Sequence, residues 1–153
     1  MKHGIVLVGV LVALLASASS ARAECSVLGS SIPFPPYDVY SAAPLDAVGE
    51  LQYKCSPDQE DVTPTIRIVF GPAADGSFVR AMSHGGDTLH YNVYLDPLRS
   101  VVWGNGSSGT MAYTAACCAI GKFAVLNMYG RIPAGQDVMA GNYADTLLMS
   151  IEF

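Results

Sequence analysis

Apolar residues recur at every second position along much of this chain, and the pattern runs through to the last residue. At the C-terminal end Leu147, Met149, Ile151 and Phe153 fall on one side of the alternation, and Leu148, Ser150 and Glu152 on the other. A period of two sends successive side chains to opposite faces of a strand, so Thr146 to Phe153 reads as a half-buried strand. A strand that ends on a large aromatic residue needs cover. Either its own sandwich supplies that cover, or another chain lends a strand.

The same period appears in Leu51, Tyr53 and Cys55, in Ile66, Ile68 and Phe70, in Leu89, Tyr91, Val93 and Leu95, and in Phe123, Val125, Asn127 and Tyr129. Turn-forming segments separate these runs: Pro33 to Pro36, Gly71-Pro72, Gly85-Gly86, Gly104 to Gly109, and Pro133 to Gly135. The Ala-rich stretch Met111 to Ile120 is the one candidate for a short helix. Seven or so short strands at intervals of roughly ten residues predict an all-β sandwich, with a closed barrel as the alternative. No internal repeat, low-complexity tract or linker divides the chain.

The N-terminus sets the compartment. Lys2 precedes an apolar run from Ile5 to Ala16, and Ala21 and Ala23 form an Ala-x-Ala cleavage signal before Glu24. Residues 1–23 therefore read as a secretory signal peptide. The run falls short of the roughly 20 residues that span a bilayer, so no membrane insertion is expected. Removing it from the 153 residues leaves 130, which is one domain, 24–153. Lys2 and Arg22 leave with it, so six basic residues face 13 acidic ones and the formal charge is −7. Nucleic acid and anionic surfaces require clustered Lys and Arg, so neither is an expected partner.

All four cysteines lie in the exported part, where disulfides persist. Cys25 and Cys55 sit near the ends of the first two candidate strands. A bridge between them would close a loop of about 30 residues and contribute roughly 3–4 kcal/mol. That pairing is favoured, although four cysteines allow three connectivities. Cys117 and Cys118 are adjacent, which leaves a vicinal disulfide, two thiols or crossed pairing open. The chain has no Cys-x-x-Cys motif of the redox enzymes.

No constellation of residues points to catalysis, a cofactor or a metal. Gly104 to Gly109 matches GxGxxG, but a dinucleotide site also needs a βαβ unit and an acidic residue about 20 positions on, and Met128 to Ile132 offers none. A strand-connecting loop is expected there instead. His84 and His90 read as surface residues, one beside Gly85-Gly86 and one on the polar side of its strand. The acidic residues Asp58, Glu60 and Asp61 lack EF-hand spacing and read as a solvated loop. No GxSxG is present. Trp103 is expected to pack in the core or at a strand end. Arg80 and Arg131 are candidate anchors at strand ends.

Several segments occur together and in order: Cys25, SIPFPPYDVY, Gly49-Glu50-Leu51 leading to Cys55, FVRAM from Phe78, LHYNVYLD from Leu89, Val102-Trp103-Gly104, and the ending YGRIPAGQ…GNYADTLLMSIEF. In this combination the mature chain resembles the spore coat protein U family, which includes subunits of archaic chaperone-usher pili. The resemblance implies a pilin-type, immunoglobulin-like β-sandwich that lacks its final strand. In such subunits a periplasmic chaperone lends a strand to the open groove, an outer-membrane usher assembles the fibre, and a neighbouring subunit's N-terminal extension takes the chaperone's place. It also implies that Leu147, Met149, Ile151 and Phe153 line this groove, and that Cys25 and Cys55 form the family's usual disulfide.

One departure from the family pattern matters. A polymerising pilin carries about ten or more alternating apolar residues ahead of its first cysteine, whereas Cys25 follows the predicted cleavage site by one residue. The expectation is a terminal subunit of a pilus, exported through the periplasm to the cell surface and serving attachment or biofilm formation. Ile32 and Phe34 are the candidate surface-contact loop. The competing expectation is a self-contained spore-coat or periplasmic sandwich that does not polymerise, and an exported enzyme comes last. The Cys117-Cys118 pair has no counterpart in the family pattern.

Overall fold

The computed structural model describes residues 24–56, 64–73, 75–118 and 122–153. The segment read as a signal peptide and the residues Asp58, Glu60 and Asp61 lie outside the described residues. Eight strands occur: β1 (Glu24–Ser31), β2 (Leu45–Ser56), β3 (Thr65–Phe70), β4 (Arg80–His84), β5 (Asp87–Tyr94), β6 (Tyr113–Ala116), β7 (Phe123–Ile132) and β8 (Met149–Glu152). They form an antiparallel five-stranded sheet, in the order β1-β2-β7-β5-β4, and a three-stranded sheet, in the order β6-β3-β8. No helix occurs among the described residues. Over its described residues 111–118, the Ala-rich candidate for a short helix instead bridges Met111 to Trp103 and then forms β6.

The alternation in β2 sends Ala47, Gly49, Leu51, Tyr53 and Cys55 inward. Ile66, Ile68 and Phe70 of β3 and Leu89, Tyr91 and Val93 of β5 join them in one core. β7 shows that period alone does not choose a face. Its apolar positions Phe123 and Val125 point outward, at 60% and 50% exposure, while Met128, Gly130 and Ile132 are buried. Register decides this. Opposed residues of an antiparallel pair share a face, and β2 sets Tyr53 across from Ala124, Leu51 from Leu126 and Gly49 from Met128. The strong inward face of β2 therefore selects the face of β7 that fits beneath it.

Cys25 and Cys55 are directly opposed in the β1–β2 register and form the expected disulfide. Further along, β1 shifts register between Val27 and Gly29, and the chain leaves the sheet at Ser31. Ile32 and Phe34 follow. The sequence suggested an exposed contact loop here, yet both side chains are half-buried against the core, and the Phe34 ring meets Tyr91 edge-on at 5.7 Å. The cause is a pair of glycines. A Cβ on Gly130 would sit 2.5 Å from Phe34 Cζ, and one on Gly49 would overlap the Ser31 carbonyl and Ile32.

Trp103 is fully buried, as expected, and it ties the two sheets together. Its backbone N–H donates to the Val93 carbonyl of β5 at 2.9 Å, and its indole Nε1 donates to the Ile68 carbonyl of β3 at 2.9 Å. The ring packs edge-on against Phe70 at 4.9 Å. Arg80 is 1% exposed and donates from Nη2 to the Trp103 carbonyl (3.0 Å) and from Nη1 to the Gly71 carbonyl (3.2 Å). Its charge lies over the Phe70 ring. At the outer face Arg131 grips Asp46 through two bonds of 2.7 and 2.8 Å. That hydrogen bonding, aided by Arg99, holds the Asp46 carboxyl below its ordinary pKa.

Trp103→Phe keeps the aromatic contact and removes the indole's bond to the Ile68 carbonyl, so urea unfolding should register a loss of about 0.5–1.5 kcal/mol for that bond. Trp103→Ala should lose about 3–5 kcal/mol because a cavity is added. Gly130→Ala should cost about 1–3 kcal/mol by displacing Phe34, again read by urea unfolding; a neutral result would show that the Phe34 ring is not seated there.

Candidate strand-acceptor cleft

β8 pairs with β3 along one edge only, matching Arg67 with Glu152, Ile68 with Ile151, Val69 with Ser150 and Phe70 with Met149. It closes the three-stranded sheet, and its other edge faces no strand among the described residues. Arg67 ties down the end of the strand by donating from Nη1 to Glu152 Oε2 at 2.5 Å. The segment leading into β8 is held by the Gly71 N–H bonded to the Leu148 carbonyl (3.0 Å) and by an isolated bridge between Ser83 and Ala144.

The alternation read from the sequence is present in the side chains. Leu147, Met149 and Ile151 are half-buried against the core, while Leu148, Ser150 and Glu152 face out. Two details differ from the sequence reading. The regular strand begins at Met149 rather than Thr146, and Phe153 is 60% exposed beyond its end. Of the four residues assigned to a groove, three share one face and Phe153 stands apart.

Beside this edge a cleft of about 460 Å³ opens into the space between the sheets. Leu147 and Met149 form one wall, Ser30, Ser31, Ile32 and Phe34 the other, and Met128 and Phe70 lie on the floor. Ile32 and Phe34 are therefore walls of the same cleft that the C-terminal strand borders. Their own period-two spacing across Pro33 continues the alternation of a strand, and this is the signal that could have found them. A second cleft of about 620 Å³ adjoins and shares Phe34, Met82 and Tyr143.

The cleft also carries polar groups. Tyr91 donates its hydroxyl to Asp145 Oδ2 at 2.8 Å. Burial first, and then this bond, push the phenol above its ordinary pKa, so it remains a donor. The remaining lining is apolar apart from the side chains of Ser30, Ser31, Tyr143 and Thr146. The arrangement offers a row of main-chain donors and acceptors beside apolar recesses, which is the chemistry of a site for an extended peptide. His84 and His90 are exposed, as expected. Gly104 to Gly109 forms a connecting loop closed by the Gly104 N–H on the Met111 carbonyl at 2.9 Å.

Comparisons with known proteins agree with this architecture. A curated relative, Protein U of Myxococcus xanthus, is 30% identical over 139 residues, covering 82% of this chain and 73% of the relative. Among solved structures, the crystal structure of a chaperone–tip adhesion subunit pre-assembly complex from the archaic chaperone-usher Csu pili of Acinetobacter baumannii shares the fold. Its TM-score is 0.56 at 17% identity, over 86% of this chain and 40% of that one. The Spore Coat Protein U domain model matches residues 11–150. The chain thus belongs to the Spore Coat Protein U domain family.

Proposed function

We propose that this protein is an exported structural subunit of a chaperone-usher-type pilus, whose incomplete sandwich accepts a β-strand from another chain along the free edge of β8. The observation that carries this reading is the unpaired β8 edge beside an open cleft, with Leu147, Met149 and Ile151 turned toward the core. An incoming strand would gain main-chain hydrogen bonds from β8 and place alternate side chains in the recesses between Phe34 and Met149. A periplasmic chaperone is the first donor and a neighbouring pilus subunit the second, with assembly through an outer-membrane usher. The chaperone-bound state of the Csu subunit supports that order of partners. In this reading the chain acts through strand pairing rather than catalysis.

The predicted cleavage after Ala23, with a single residue ahead of Cys25, supports a terminal place for this subunit in the fibre. Its role there is attachment to surfaces, as in biofilms. Labelled protein found at internal positions, joined on both sides, would overturn the terminal placement. A second reading, a spore-coat sandwich that closes by itself, draws on the match to the Spore Coat Protein U domain.

Residues 24–153 exported into a periplasm should be recovered as a one-to-one complex with the cognate chaperone and be poorly soluble without it. Met149→Asp and Ile151→Asp should abolish co-purification, while Leu148→Asp, on the outward face, should retain it. A stable monomer obtained equally well without chaperone, and indifferent to all three changes, would favour the self-closed sandwich.

A further inference from the structure

The cysteines of this chain converge at one place, away from the cleft. Cys25 and Cys55 are joined across β1 and β2. Cys117 follows β6, donates its backbone N–H to the Pro64 carbonyl (2.9 Å), and packs in the same core cluster as Cys55 and Tyr53. Cys117 is buried and Cys118 half-exposed, both are free thiols, and their Sγ atoms lie 2.7 Å apart. Two adjacent thiols turned toward one another in an exported protein have no part in strand acceptance, and hydrophobic packing alone would not bring their sulfurs together.

We propose that Cys117 and Cys118 are a reversible dithiol couple that closes as a vicinal disulfide by exchange with a disulfide-bearing oxidant of the exported compartment. Cys118 reacts first, because it is the one open to solvent. Burial, followed by the bond to Cys118, pushes the Cys117 thiol up to about 11, so it is not the initial nucleophile. The Cys118 thiolate attacks one sulfur of the oxidant, the oxidant's S–S bond breaks, and the departing thiolate takes up a proton. Cys117 then gives up its proton and attacks Cys118 Sγ, expelling the second thiol. The pair loses two electrons and two protons, and the oxidant's disulfide is reduced to two thiols.

What sets this bridge apart from Cys25–Cys55 is the structure that holds the partners. Cys25 and Cys55 are kept face to face by the β1–β2 ladder, which favours re-closure, and Cys55 is 1% exposed. Cys117 and Cys118 close only the ring around their own peptide bond, and Cys118 is half-exposed. The couple therefore opens and closes while the structural disulfide persists.

The test is peptide mass mapping of the exported full chain, harvested into an alkylating agent without reductant. The peptide carrying both residues should be two hydrogens light and unalkylated. Brief treatment with dilute dithiothreitol should then expose both to alkylation while Cys25–Cys55 stays intact. With oxidised glutathione, Cys117→Ser should capture the tripeptide on Cys118, and Cys118→Ser should leave Cys117 a free thiol. The proposal is overturned if both residues are alkylated at harvest and remain thiols after oxidised glutathione. Bonding of either residue to Cys25 or Cys55, or capture by Cys118→Ser instead, would equally overturn it.

Discussion

The tie that Trp103 makes between the two sheets is the interaction on which the rest of this structure depends. Its main chain bonds to β5 and its indole to β3, so one residue fixes both the spacing and the lateral placement of the layers. Arg80 reinforces the tie at the cost of burying a guanidinium, a cost offset by two carbonyls and the Phe70 face although its Nε has no partner among the described residues. The clamp sits toward the middle of the sandwich. β8, at the margin, is held through β3 and the Arg67–Glu152 ion pair, and the segment leading into it by a bridge from Ala144 to Ser83 of β4. A firm centre with a lightly held margin leaves the cleft open without loosening the core.

How much of this was legible in the sequence varied with the range of the interaction that decides each feature. Strands β2, β3 and β5 declared themselves because one face of each is strongly apolar, and the buried positions Leu51, Ile68 and Val93 follow from period alone. The strand β7 was legible, but its buried face was not: Phe123 and Val125 are more apolar than Ala124, and only pairing with Tyr53 explains why the smaller residue goes inside. The family was legible from segments in combination, and it matches over residues 11–150.

The clearest difference between reading and structure concerns Ile32 and Phe34. Prolines at 33, 35 and 36 suggest a surface loop, since proline cannot join a ladder of hydrogen bonds. Proline does not prevent burial of the side chains between, however. Glycine at 49 and 130, nearly a hundred residues from Phe34 in the second case, clears the space that the ring occupies. Local sequence carries the backbone restriction, and the vacancy that receives the side chain is written elsewhere. Phe153 is the converse case: its position in the alternation suggested cover, yet β8 ends before it.

The two walls of the cleft differ in kind, and this bears on the proposed strand acceptance. β1 is fastened to β2 by a disulfide at one end and by an unbroken register on either side of its bulge, so Ser30 to Phe34 leave the sheet from a covalently anchored strand. The opposite wall, Leu147 to Ile151, rests on four paired positions with β3. An incoming strand meeting two soft walls would have to order both, and ordering a residue's backbone costs on the order of 1–2 kcal/mol. With one wall fixed beforehand, most of that ordering is confined to the donor and to β8. The hazard of an open apolar edge is limited at β8 itself: the strand is short, and its outward side chains include the charged Glu152, which discourages flat stacking of copies.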